Sequence, residues 1–259
     1  MTSAQIFDLL ESKYEQYNKP NYIEADPICI PHSFSKQQDI EIAGLFASTL
    51  AWGLRKTIIN KCKELITSMD NAPHDFILNH KEQDLKRFLA FKHRTFNATD
   101  TLYFIDFLKR HYQQSDTLED LFLPKIVNKE INVEKGLINF HKTFFDSPNA
   151  PDRTKKHVAT PLRKSACKRL NMYLRWMVRD DSRGVDFGIW KNINASKLVI
   201  PLDVHVDRVA RKLNLLQRKQ SDWLSAVELT ENLKKYDPID PGKYDFSLFS
   251  IGVVEKAEI

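Results

Sequence analysis

The chain has 259 residues, a formal net charge of +5 at pH 7, 42% hydrophobic and 28% charged residues, and a mean hydropathy of −0.44. No apolar run reaches the ~18 residues of a membrane span, and the opening MTSAQIFDLLESKYEQY lacks the apolar core of a signal peptide, so cytoplasmic residence is expected. Three separated cysteines (Cys29, Cys62, Cys167) exclude an all-cysteine iron–sulfur or zinc site and a disulfide scaffold, and only seven glycines leave few tight turns, which favours an all-α fold.

In chain order, Ile6, Leu9, Leu10 and Tyr14 recur at helical spacing and predict a helix over 3–17. Tyr22–Phe34, with Pro27 and Pro31, reads as an ordered loop. Ser35 is the expected N-cap of a helix over 36–52 that Gly53 ends. Further helices are expected near 55–70, 73–79, 82–90, 99–113, 117–123 and 132–145. Ser147–Pro161 has three prolines and no apolar period, and is expected to be a long exposed loop. Helices near 165–180, 203–213, 221–235 and 243–255 follow, with a loop through Gly184–Leu202. No internal repeat and no convincing strand pair is visible.

Charge is unevenly placed. Between Arg153 and Lys219, lysine and arginine greatly outnumber aspartate and glutamate, and the rest of the chain is net acidic. Such asymmetry suggests a polyanion, nucleic acid first; a merely solvated basic face is the plain alternative. In the helix that Ser165 is expected to cap, Cys167, Leu170, Leu174 and Met177 make a buried stripe. Lys164, Lys168, Asn171, Arg175 and Arg179 fall within about 80° of one another on a different face. That cationic stripe suits phosphate contacts.

Val206, Val209, Ala210 and Leu213 form the apolar stripe of the next helix, which places Asp203, two residues after Pro201, at its N-cap. A capping carboxylate is held immobile by backbone N–H groups, and a group meant to stabilise a developing positive charge needs that. Capping alone is the simpler reading of the same residue.

The run IPLDVHVDRVARKLNL resembles the segment bearing the catalytic aspartate in the helix-hairpin-helix DNA glycosylases, the endonuclease III-like superfamily. The chain looks like a member of an uncharacterised bacterial family of that superfamily, nearest in character to the archaeal 8-oxoguanine DNA glycosylases. The resemblance covers about 160–255; the N-terminal half is similar in helix number and pattern alone. It implies a two-lobed all-α fold with a cleft between lobes, and a glycosylase-like catalytic region over 162–255. The implied function is excision of an oxidised purine such as 8-oxoguanine from double-stranded DNA, with an accompanying AP-lyase step, by a nucleoid-associated protein without cofactor; a monomer is the default expectation.

By position, Asp203 stands for the catalytic aspartate. Lys168 is the implied nucleophile, acting as a neutral amine favoured by partial burial and by cations such as Arg169 and Arg175. Lys164 is the alternative, since Arg163-Lys164-Ser165-Ala166 resembles the Arg-Lys-Thr-Ala of endonuclease III. Asp245 and Phe249, one helical turn apart, resemble the acidic and aromatic pair that holds the flipped purine. Trp52 and Arg55, at the turn after the second long helix, would fill the gap left in the DNA or flank that pocket. Arg55, Lys164, Arg169, Arg175, Arg179, His205 and Arg208 would contact DNA. Two departures stand out: TPLRKSA replaces the glycines of the usual hairpin, and the cluster-binding cysteines of endonuclease III are absent. His32, His141, His157 and His205 share no metal-ligand spacing, so no metal is expected. The same scaffold could also serve as a non-catalytic nucleic-acid-binding module, as a protein-interaction scaffold, or as a monofunctional glycosylase using water.

Overall fold

The structure is a computed structural model describing residues 1–123 and 130–255. It is all-α apart from one short hairpin. The chain divides into two compact units: Met1–Tyr22, Lys125–Ile138 and Thr160–Ile259 form one, and Ile23–Pro124 with Asn139–Ala159 form the other. Among the described residues no helix is long and apolar enough to cross a membrane.

In the second unit, α2 (Gln37–Leu50) is buried at every position from Ile40 to Leu50, as expected of a helix surrounded by others. Its one buried acid, Glu41, accepts hydrogen bonds from the Tyr112 hydroxyl at 2.7 Å and the Leu118 N–H at 2.8 Å. Helices α3 (Arg55–Thr67) and α4 (Pro73–Asn79) follow, then α5 (Ala98–Tyr112). A capping box starts α5: the Asn97 side chain accepts from Thr99 N–H, and Asp100 accepts from Asn97 N–H. Phe104 and Phe107 of α5 pack on Phe144 at centroid distances of 4.7 and 4.4 Å, which makes the core of this unit largely aromatic.

In the first unit, α1 (Ser3–Tyr17) buries Ile6, Leu10 and Tyr14. It packs on α10 (Tyr244–Phe249), where the Ser247 hydroxyl donates to the Leu10 carbonyl at 2.6 Å. Helices α7 (Lys168–Val178), α8 (Val204–Lys212) and α9 (Trp223–Leu233) complete it. The unit boundary falls within α6 (Glu134–Phe144).

Several expectations need correction. Helix α7 begins at Lys168, not at 165, because Lys164 and Cys167 take left-handed backbone angles (φ 58° and 52°); the Ser165 hydroxyl accepts the Cys167 N–H instead of capping the helix. Lys36, not Ser35, is the N-cap of α2 and gives it no side-chain cap. The segments near 82–90 and 117–123 are 3-10 turns, Glu82–Phe88 and Glu119–Phe122. The last helix changes at Ser250 into a π-helical turn, Ser250–Glu255. A two-residue hairpin pairs β1 (Lys92–His93) with β2 (Phe96–Asn97) where no strand was expected. The segment 147–161 is not an exposed loop: Thr154, His157, Val158, Thr160 and Pro161 are buried, drawn in by the Asp100 carboxylate that Arg153, Thr154 and His157 surround.

Candidate active site

Helix α8 starts where the sequence places it. Asp203 is its N-cap, and Oδ1 accepts the N–H groups of His205 at 2.8 Å and Val206 at 2.9 Å. This leaves Oδ2 facing Lys168, whose Nζ lies 3.6 Å away. Lys168 is the first residue of α7 and is half-buried. Lys164 sits four residues earlier on the left-handed turn, with an exposed side chain and its carbonyl accepting the Trp223 N–H at 3.3 Å. Of the two candidate lysines, Lys168 is the one brought to Asp203.

Asp245 on α10 is the third charged group here, close enough to Lys168 and Asp203 to interact with both electrostatically. Burial pushes its carboxyl up to about 6; Arg175 and Lys168 oppose that rise, while Asp203 and Asp186 add to it. Arg175 lies two turns along α7 from Lys168 and hydrogen-bonds Asp245 Oδ2, with its Nε 3.4 Å from Asp186 Oδ1. Its guanidinium stacks on Phe246 at 4.3 Å.

One turn further, Arg179 has no solvent exposure. It bonds Asp186, reaches Asp181 at 3.0 Å, and meets both oxygens of Asp240 between 2.8 and 3.0 Å. Arg175 and Arg179 are therefore interior cations and not the phosphate contacts expected of them. Helical spacing aligned them correctly with Lys168; the face they share turns inward beyond its first residue. Nor does Arg175 stand beside Lys168 as a bare cation, because Asp186 and Asp245 take up its charge.

The other expected residues are distributed as follows. Phe249 ends α10, half-buried, one turn from Asp245. His205 and the exposed Arg208 face the π-helical turn: Arg208 donates to the Gly252 carbonyl at 2.8 Å, and a Cβ on Gly252 would come within 3.0 Å of the His205 carbonyl oxygen. Arg169 is half-buried, and burial lowers its proton affinity. Trp52 and Arg55 belong to the other unit. There the Arg94 guanidinium stacks on Trp52 at 4.7 Å, and Arg55 reaches Asp26 at 4.0 Å.

Asp186, Asp181 and Asp240 were missed. One signal was available: three aspartates lie in 180–186, directly after an arginine flanked by Trp176, Met177 and Val178.

The model of the family described as "Protein of unknown function (DUF2400)" matches residues 26–254. The chain belongs to that family. The match takes in the whole cluster of Lys168, Arg175, Asp186, Asp203 and Asp245, and leaves α1 outside it. No curated protein and no solved structure matches the chain.

Proposed function

We propose that this member of the family is a DNA glycosylase that excises a damaged base, an oxidised purine such as 8-oxoguanine in first place, through a Schiff base on Lys168. The observation that carries the reading is the 3.6 Å approach of Lys168 Nζ to Asp203 Oδ2, with Asp203 Oδ1 anchored by two backbone N–H groups. A lesion inside a duplex is out of reach, so it would be flipped out at a cost of a few kcal/mol. The neutral Lys168 amine then attacks C1′ of the sugar; the C–N bond forms as the glycosidic bond breaks, the base leaves with the electron pair and takes one amine proton, and the C1′–O4′ bond then opens, with the other proton passing to O4′, to give the Schiff base. Asp203 stabilises the positive charge that builds on the sugar. Asp245 and Phe249 suit the wall of a base pocket. β-Elimination from the Schiff base would give the AP-lyase step.

Borohydride trapping on a panel of lesion duplexes tests this. Wild type and Lys164→Ala are expected to give a covalent adduct, and Lys168→Ala none. Equal trapping by Lys168→Ala overturns the assignment of the nucleophile. Base release without any adduct supports a water-using monofunctional enzyme. Salt-sensitive duplex binding with neither release nor adduct supports the non-catalytic module.

A further inference from the structure

Two residues expected to contact DNA, His205 and Arg208, meet the chain itself. Both lie in α8, and both meet the π-helical turn Ser250–Glu255 at Gly252. Gly252 is buried, and a Cβ placed on it would stand 3.0 Å from the His205 carbonyl oxygen and 3.1 Å from His205 Cβ. Arg208 closes the same contact: its guanidinium donates to the Gly252 carbonyl at 2.8 Å. Backbone therefore lies directly on backbone, and a side chain at 252 would crowd it.

That contact bears on the first turn of α8. The N–H groups of His205 and Val206 are the two donors that fix Asp203 Oδ1, while Asp203 Oδ2 stands 3.6 Å from Lys168 Nζ. The π-helical turn follows α10 without a break, so the segment that carries Asp245 and Phe249 runs on to the turn that caps with Asp203. Such turns are rare and gather at functional sites.

We propose that Gly252 and Arg208 are positioning residues for Asp203: they clamp the π-helical turn onto the first turn of α8 and so hold Oδ2 at its distance from the Lys168 amine. The inference rests on the glycosylase reading above. The atoms that a Cβ at 252 would meet are the backbone and Cβ of His205, not the far end of a flexible side chain. A methyl group there moves the first turn of α8, and the cap that Asp203 forms moves with it. Arg208 is thereby assigned to the architecture of the site and not to a phosphate.

Two measurements on Gly252→Ala and Arg208→Met test this. One is the single-turnover rate of borohydride trapping on a duplex with a pre-formed abasic site, with protein in excess; the other is the affinity for that duplex at several salt concentrations. Both variants should trap about tenfold more slowly, less than the roughly 100-fold that a misplacement of about 1 Å can cost. Affinity and its salt dependence should stay those of wild type. Wild-type trapping rates in variants that thermal melting shows to be folded overturn the inference: the contact is then packing alone, and the glycosylase reading stands. Weaker binding by Arg208→Met, with a salt slope smaller by about one, overturns the assignment of Arg208 and makes it a phosphate contact. If Gly252→Ala fails to fold, Arg208→Met decides by the same two readings. Absence of any wild-type adduct, on abasic or lesion duplexes, overturns both the inference and the reading beneath it.

Discussion

Asp100 in the unit containing α5 and Asp245 in the unit containing α7 are both carboxylates withdrawn from water, yet they are displaced in opposite directions. Burial raises both. At Asp100, hydrogen bonds from His157, Thr154 and the Asn97 N–H outweigh burial and hold it near about 2. At Asp245, one arginine is shared with Asp186, and a second carboxylate stands nearby, so burial prevails. The difference teaches that burial alone does not decide which way a carboxylate's proton affinity moves. The number of donors committed to it does. A fully bonded carboxylate cannot accept a proton without losing those bonds; a partly bonded one can.

Removing the arginine from the poorly satisfied site should have the largest effect. Arg175→Met leaves Asp186 and Asp245 short of their shared cation and is expected to cost about 3–5 kcal/mol in urea unfolding. A cost as small as that of a surface change would show that Asp245 and Asp186 do not depend on it.

The pH dependence of stability should separate the two sites by sign. Asp100, held low, stabilises the fold above its ordinary value of 3.8, and that contribution is lost as pH falls toward about 2. From the shift it amounts to about 2 kcal/mol. Asp245, raised to about 6 from 3.8, favours the fold when protonated, so its contribution declines as pH rises through that interval. Unfolding of Asp100→Asn and Asp245→Asn across acidic pH should flatten the first trend and the second respectively. Matching slopes in the two variants would break the contrast.

Thr154→Val removes one of several donors to Asp100 and should cost about 1.5–3 kcal/mol in urea unfolding. Smallest is Asp222→Ala, which removes only the cap of α9, where the carboxylate accepts the Ser225 N–H, and should cost about 1 kcal/mol in thermal or urea melts.

What the sequence determined by itself is local. The apolar stripe of α8, Pro201 and a capping residue locate Asp203 within one turn, since all three act between neighbours in the chain. The positions of α1, α2 and α5 are legible for the same reason. Choosing Lys168 over Lys164 was not, because it depends on two left-handed residues and on where α8 begins, some 35 residues on (203 against 168). The interior placement of Arg175 and Arg179 was equally hidden: a 3.6-residue period aligns side chains on one face but carries no information on what that face meets. Their partners Asp240 and Asp245 lie more than 60 residues away in the chain (61 from Arg179, 70 from Arg175). Only tertiary packing brings such charges together, and the cost of leaving any of them unpaired in the interior is what holds the arrangement in place.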